Sequence, residues 1–222
     1  MDYSEQIHRI KEKLSEAKEA DSSYRVFGAG NHKYKLYPPV SQSSVEVFEK
    51  EYRVHLPECY RAFVLNVGNG GISYQDSGAG PFYGIYALGD HLNELVYGDP
   101  KAFLVKNFLL SPEMSETTWE NLTKTLWDEY ISNEDYYTEL GKIYGGIMPL
   151  GAQGCTYLHG LVLNGPFRGR VLNLDMAAEQ KPQFTYESNF LDWYERWLDE
   201  IISGKLITIS PSWFGYAKPE GI

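Results

Sequence analysis

Cysteine is scarce. The 222 residues contain two, Cys59 and Cys155, far apart in sequence. Two excludes a disulfide framework and suits a reducing compartment, so the expected location is cytoplasmic. Positive charge is also short, with 20 Lys and Arg against 30 Asp and Glu and a net charge of −10. A chain of that sign repels phosphate backbones, so direct binding to nucleic acid is not expected. Unbroken apolar runs are missing too. The uncharged stretch from Ile143 to Phe167 is long enough to cross a bilayer, but Gly, Pro, Gln, Asn and His interrupt it throughout. It reads as strands and turns, not as a membrane helix. The opening MDYSEQIHRIKEKL has no apolar core, so no signal peptide is expected.

Catalytic signatures are equally thin. The stretch LPECYRAFVLNVGNGG, residues 56–71, ends in a glycine cluster that invites comparison with a phosphate loop. In a phosphate loop the glycines precede a helix, so that free N–H groups and the positive helix end face the anion. Here they follow one, and no Gly-Lys-Ser or Gly-Lys-Thr comes after them. A helix end with Gly68 as left-handed cap is the expectation. The clusters GAGNHK at Gly28 and GAGPFYG at Gly78 lack the dinucleotide-loop spacing and read as turns. There is no GxSxG elbow. Cys59 sits in a first helical turn, where the dipole lowers a thiol pKa, but no charged partner can be assigned to it. Cys155 and His159 would lie about 13 Å apart along a strand and could meet only across a turn. Zinc needs its ligands within about 2.0–2.3 Å of the ion. The expectation is therefore no catalytic residue, no metal ligand, no cofactor and no enzyme.

Aromatic residues are plentiful, with 18 Tyr, 5 Trp and 10 Phe. Most should be core, and some should line a groove or partner surface. Ile7, Ile10, Leu14 and Ala17 form one helical stripe. Ser43 with Glu46 resembles a capping box ahead of Val45, Phe48 and Tyr52. Pro57 opens a helix with Tyr60, Phe63, Val64 and Val67 on one face. The segment 80–89 is expected as a strand with Phe82, Gly84, Tyr86 and Leu88 on one side. Residues 115–144 read as helical, with Trp119, Leu122, Leu126 and Tyr130 on one stripe. Strands are predicted at 147–150, 157–163 and 169–175, the last two joined by a hairpin through NGPFRG. A helix with the clearest 3.6-residue period follows, N-capped by Ser188 and carrying Phe190, Trp193, Tyr194, Trp197, Leu198 and Ile201. Helices first, strands in the middle and a closing helix give an α+β class, a mixed or largely antiparallel sheet packed by helices.

The negative charge is uneven. Seven acids and one base lie between Glu116 and Glu139, and six acids and two bases between Glu179 and Glu200; the remainder is neutral. Acids of this kind either cover solvated helix faces or meet a basic partner. The first candidate for a partner-binding face is the acidic segment, with Trp119, Glu120, Asp128, Glu129, Glu134 and Asp135. The second is the aromatic pair Tyr83 and Tyr86.

Five pieces occur in a fixed order: LPECYRAFVLNVGNGG, GPFYGIYALGD, the Gly-Cys at Gly154, LVLNGPFRGRVLNLD and FLDWYERWLDE. In that order they resemble the SUKH superfamily, in particular its Smi/Knr branch. The matching positions include Leu56, Pro57, Tyr60, Phe63, Asn69, Gly70 and Gly71, then Gly154 and Gly169, then Trp193 and Trp197. The resemblance implies one SUKH-like domain over 43–203 with an acidic helical insertion near 115–144. A helix and extended lead-in over 1–42 precede it, and a tail over 204–222 follows. It implies a non-catalytic protein-binding role, since the matched residues set the fold. Bacterial members of the family resemble immunity proteins that neutralise toxin domains, many of them nucleases; fungal relatives are regulatory scaffolds in cell-wall glucan synthesis. An immunity protein with a toxin domain as partner is the expected function, a regulatory scaffold is the alternative, and an enzyme is remote. The oligomeric state is open.

Overall fold

The computed structural model describes residues 2–71, 77–211 and 213–216. The last six residues of the expected tail, 217–222, lie outside the described residues, as does Met1.

The chain opens with α1, Ser4–Ala20, which buries Ile7, Ile10 and Ala17 as the stripe predicts. Asp21 ends it, with its N–H donating to the Ala17 carbonyl. The Asp21 carboxylate is buried but fully used. It accepts from the N–H of Arg25 (2.7 Å) and Val26 (3.1 Å) and from the Tyr34 hydroxyl (2.7 Å). A four-residue helix α2, Ala29–His32, stands where a turn was expected.

In α3, Gln42–Tyr52, the cap is Ser41 and not Ser43. The Ser41 hydroxyl accepts from the Ser44 N–H at 3.0 Å, while Glu46 takes the Gln42 amide instead of closing a capping box. The run Ser-Gln-Ser-Ser offers several capping hydroxyls, and the earliest one lengthens the helix. In α4, Glu58–Asn66, Pro57 sits at the cap, one residue before the first turn, and Tyr60, Phe63 and Val64 are buried.

A two-stranded antiparallel sheet follows, β1 Ser77–Gly78 with β2 Ile85–Tyr86. The longer strand expected over 80–89 is not formed. Phe82 and Gly84 both have positive φ, so the chain turns there and only Ile85 and Tyr86 pair. A 3-10 turn occupies Pro100–Ala102. Then come α5, Glu116–Thr123, a 3-10 extension over Lys124–Trp127, and α6, Asn133–Ile143. The main sheet is β3 Ile147–Gly154, β4 Tyr157–Val162, β5 Val171–Asp175 and β6 Gln183–Phe184, in that order and antiparallel throughout. The sequence pattern missed β6, whose two residues are too few to alternate. The chain closes with α7, Phe190–Ile202, and a single turn α8, Lys205–Thr208. The cap of α7 is Asn189, not Ser188: its side-chain oxygen accepts from the N–H of Leu191 and Asp192, and the Ser188 hydroxyl turns to the Asp192 carboxylate. The class is α+β with antiparallel sheets.

The glycines lie where stretches of backbone touch. Gly68 is not the left-handed residue after α4; Gly70 is, at φ +53. A Cβ on Gly78 would stand 2.0 Å from the Gly70 carbonyl oxygen. One on Gly84 would stand 2.0 Å from the Gly78 oxygen, and one on Gly151 2.0 Å from the Gly84 oxygen. The loop after α4, β1, β2 and β3 are thus stacked backbone on backbone. The extended lead-in joins the stack: Tyr37 N–H donates to Gly70 O (2.8 Å), Asn69 N–H to Tyr37 O (3.0 Å) and Ala79 N–H to Lys35 O (2.7 Å). The Asn69 side chain accepts from the Leu88 N–H at 2.7 Å and locks the next turn. GNGG therefore ends a helix, as its position predicts, and also lets the lead-in, β1 and β2 approach it.

Helix α7 fills the centre. Phe190, Trp193, Tyr194 and Trp197 are fully buried. The Phe190 ring meets Tyr60 at 5.1 Å, and Tyr194 meets Phe63 at 4.7 Å. The Tyr194 hydroxyl donates to Ala79 O at 2.9 Å. Gly169, at φ +91, lies against Cys59, and its carbonyl receives the first N–H of α7 from Phe190. On its other side α7 is clasped by α1, where Gln6, Arg9 and Lys13 surround Glu195. Burial works against charge on Glu195, but the hydrogen bonds from Arg9, Lys13 and Gln6 together hold its carboxyl down to about 2.

The tail after α8 is irregular and packs. Phe214 is buried with its ring 3.8 Å from the Arg196 guanidinium carbon, and Arg196 donates to Gly215 O. The Tyr216 hydroxyl and His159 Nδ1 share a hydrogen bond of 2.8 Å.

Two outcomes follow from this core. Gly78→Ala should cost about 3 kcal/mol or more, because backbone and not a side-chain tip must move. Gly30→Ala, with open space around its Cβ position, should be neutral or slightly stabilising. Urea melts of the two variants compare them directly; equal stabilities would contradict the stacking. The second outcome concerns His32 and His159, both fully buried. Burial pushes their imidazoles down to about 4 and about 3. The unfolded chain takes up these protons near pH 6.5 while the folded chain does not, so stability should fall as pH drops below about 6.5. Each imidazole contributes a slope approaching about 1.4 kcal/mol per pH unit down towards its folded value. His159→Phe should halve the slope between pH 6 and 5, and an unchanged slope would count against the neutral buried state.

Candidate interaction face

The acidic segment is not one helix. The Ser115 hydroxyl caps α5 by accepting from the Thr118 N–H at 3.1 Å. Trp119, expected at the partner face, is buried and leans on the Tyr144 ring at 6.2 Å. Thr123 Oγ1 donates back to Trp119 O at 3.0 Å, where the helix tightens into its 3-10 extension. Asp128 then accepts from the Tyr130 N–H, and Ser132 caps α6 by accepting from the Asp135 N–H. These two side-chain bonds stop the helix and restart it. The break turns Tyr130 out of the expected stripe; it is 88% exposed, and Trp127 is 53% exposed.

The remaining candidates in this segment, Glu120, Asp128, Glu129, Glu134 and Asp135, are all exposed. Two other acids are neutralised locally, Glu116 by Lys181 at 2.9 Å and Glu139 by Lys142. Glu120, Glu129 and Glu134 make no ion pair among the described residues. Their charge faces solvent.

Beside them lies a groove of about 540 Å³ between α6 and the segment from Val96 to Lys106. Its floor is Val96, Phe103 and Gly141, and its rim carries Tyr97, Tyr137 and Glu134. The two tyrosine rings are 5.4 Å apart, and Tyr97 is 71% exposed. The outer wall is fixed to the main sheet. Gly146 N–H donates to Phe103 O (3.0 Å), and the Asn164 side chain bridges Lys106 O and the Phe108 N–H at 2.9 Å each. Sequence reasoning missed Tyr97, Trp127, Tyr130 and Tyr137. The signal for the middle two was the Asp128 and Ser132 pair, whose side chains terminate and cap helices. Tyr97 had none, since its loop meets α6 only through the fold.

The second candidate pair belongs largely to the interior. Tyr86 is buried and stacks on His91 at 4.3 Å. Tyr83 is half-buried, packed on Phe27 at 5.1 Å and lying over Gly154.

In the largest of the other clefts two of the arginines are engaged internally. That cleft, of about 690 Å³, runs past Glu49, Arg61 and Arg168. Arg61 pairs with Glu49 at 2.8 Å, and Arg168 donates to the carbonyls of His55, Leu56 and Leu163. Burial pushes the Cys59 thiol up, against any lowering by the helix start. Cys155 is exposed on the β3–β4 turn, whereas His159 is buried and bonded to Tyr216. Among the described residues no group of three His, Cys, Asp or Glu side chains could hold a metal ion, and no helix is long and apolar enough to cross a membrane.

The chain is thus an antiparallel α+β domain built on the glycine stack and closed by an aromatic helix. Residues 39–196 match the SMI1 / KNR4 family (SUKH-1), and the chain belongs to it. Membership supports a non-catalytic domain with a protein partner. No curated protein and no solved structure matches the chain. Helix α1 and the tail lie outside the matched span.

Core and surface members of the acidic segment should separate cleanly. Trp119→Ala should cost about 3–5 kcal/mol, while Glu120→Gln and Glu129→Gln should each stay within about 0.5 kcal/mol of the parent. Thermal melts decide it; a neutral Trp119→Ala would contradict its burial.

Proposed function

We propose that the protein is an immunity-type binding protein that occludes a cognate toxin domain with a basic cleft. The contact runs through the face around α6. The observation that carries this reading is the groove beside α6, where the unpaired Glu134 lines the rim with the exposed rings of Tyr97 and Tyr137, and the chain leading into α6 exposes Trp127, Glu129 and Tyr130. Either feature alone is ordinary surface. Together they have the composition of a protein interface, with amphipathic aromatic anchors supplying affinity and charge steering the encounter. Unpaired carboxylates can stand in for substrate phosphates across a basic nuclease cleft. The protein carries no catalytic step in this reading; it acts in the cytoplasm by binding and excluding substrate.

Co-expression with the toxin encoded beside it should restore growth, and the purified pair should associate more slowly as salt is raised. Glu129→Lys combined with Glu134→Lys should slow association at least about tenfold at low ionic strength while leaving the melting temperature near that of the parent. Unprotected cells would overturn the immunity reading. An association rate indifferent to both salt and charge reversal would move the contact elsewhere. Capture of wall-synthesis proteins and no toxin would favour a regulatory scaffold.

A further inference from the structure

The groove beside α6 has a polarity of its own. Glu134 lies three residues before Tyr137 on α6 and Asp99 two residues after Tyr97, and both line the groove with the two rings; one Asp99 oxygen also accepts from the Lys101 N–H at 3.0 Å. Lys106 is the base among the lining residues, and its ammonium lies towards Gly141, 3.9 Å from the position a Cβ would take there. Glu134 and Gly141 are seven residues apart on one helix, about 10 Å along its axis. The cationic end and the acidic aromatic end are therefore separate. Helix α6 begins next to Glu134, but Glu134 and Asp135 in its first turn outweigh the partial positive charge of the helix start. At the acidic end a side chain would meet two aromatic rings and two carboxylates, while Val96 and Phe103 lie 3.4 and 3.5 Å from the Cβ position of Gly141, on the Lys106 side.

We propose that this end of the groove is a receptor for a single arginine side chain projecting from the partner. The inference deepens the proposed function and rests on it for the identity of the partner, but not for the chemistry of the site. A guanidinium is planar, stacks on tyrosine faces and remains charged, whereas a lysine ammonium is more strongly hydrated and makes a poorer stack. The exposed tyrosine rings pack against the stem and plane of the arginine, and Glu134 takes the head. An uncharged side chain would gain no attraction from Glu134 and Asp99. An acidic one would be repelled.

The test uses the whole protein and two capped tripeptides, Gly-Arg-Gly and Gly-citrulline-Gly, the latter keeping the shape of the side chain without its charge. NMR titration should show saturable shifts at the ring resonances of Tyr97 and Tyr137 with the arginine peptide. The citrulline peptide should bind at least about threefold more weakly, as should the arginine peptide to Tyr97→Ala or Glu134→Gln. Equal binding of both peptides, or shifts spread over the acidic surface and unaffected by Tyr97→Ala, would overturn the proposal. A second measurement separates it from the immunity reading. If the neighbouring toxin is neutralised and the doubly substituted Tyr97→Ala, Tyr137→Ala protein binds it within twofold of the parent, the groove proposal fails and the immunity reading stands. If the arginine peptide binds as described and the toxin is not neutralised, the groove stands and the immunity reading fails.

Discussion

Backbone has to touch backbone for this molecule to exist. The loop after α4, both short strands and β3 meet at Gly70, Gly78, Gly84 and Gly151, at separations that leave no room for a methyl group. Everything else is arranged around that stack. It brings the end of α4 onto β2 and sets β2 beside the main sheet. It also aligns Ala79 to receive the hydroxyl of Tyr194 from α7. Close backbone contact is unforgiving, because a peptide group cannot rotate away as a side chain can. Such a feature specifies one packing over its competitors and does more for uniqueness of fold than for net stability.

The stack leaves the opposite end of the sheet free to carry function. Helix α6 runs straight into β3, so the strand fixes where the helix ends, and Gly146 and Asn164 tie the facing segment to the same sheet. The groove between them is thus held on both sides by the rigid core, although its rim is loop and helix surface. The acids around it can stay unpaired because they are exposed: high dielectric makes their mutual repulsion mild at physiological salt. Buried charges are treated differently. Glu195 is ringed by donors from α1, and Asp21 is saturated by two N–H groups and a phenol.

Much of this was legible in the residues. The stripe of α1, the aromatic period of α7 and the three longer strands of the main sheet follow from spacing, because each element buries one continuous face. The family pattern was legible in the order of five motifs. The failures cluster where a single side chain chooses among neighbours. Ser41 outcompeted Ser43 as a cap, and Asn189 outcompeted Ser188; such choices are worth about 1 kcal/mol and periodicity cannot rank them. The strand expected over 80–89 failed because alternation alone could not show that Gly84 packs against Gly78. Trp119 was placed at the partner face by its acidic neighbours, yet apolar periodicity along α5 had already put it with Leu126 in the core. The partner-facing aromatics were the least visible, since Tyr97 and Tyr137 meet only through tertiary structure.

The central claim is that one face, built from α6, the break before it and the facing loop, holds the partner. Hydrogen–deuterium exchange on the complex with the toxin domain encoded beside this chain measures that most directly. The account predicts slowed exchange confined to residues 96–106 and 124–141, with little change along α4 or the 163–169 hairpin. Protection centred on the polar cleft at 53–61 and 163–168, with the α6 face exchanging as in the free protein, would contradict it.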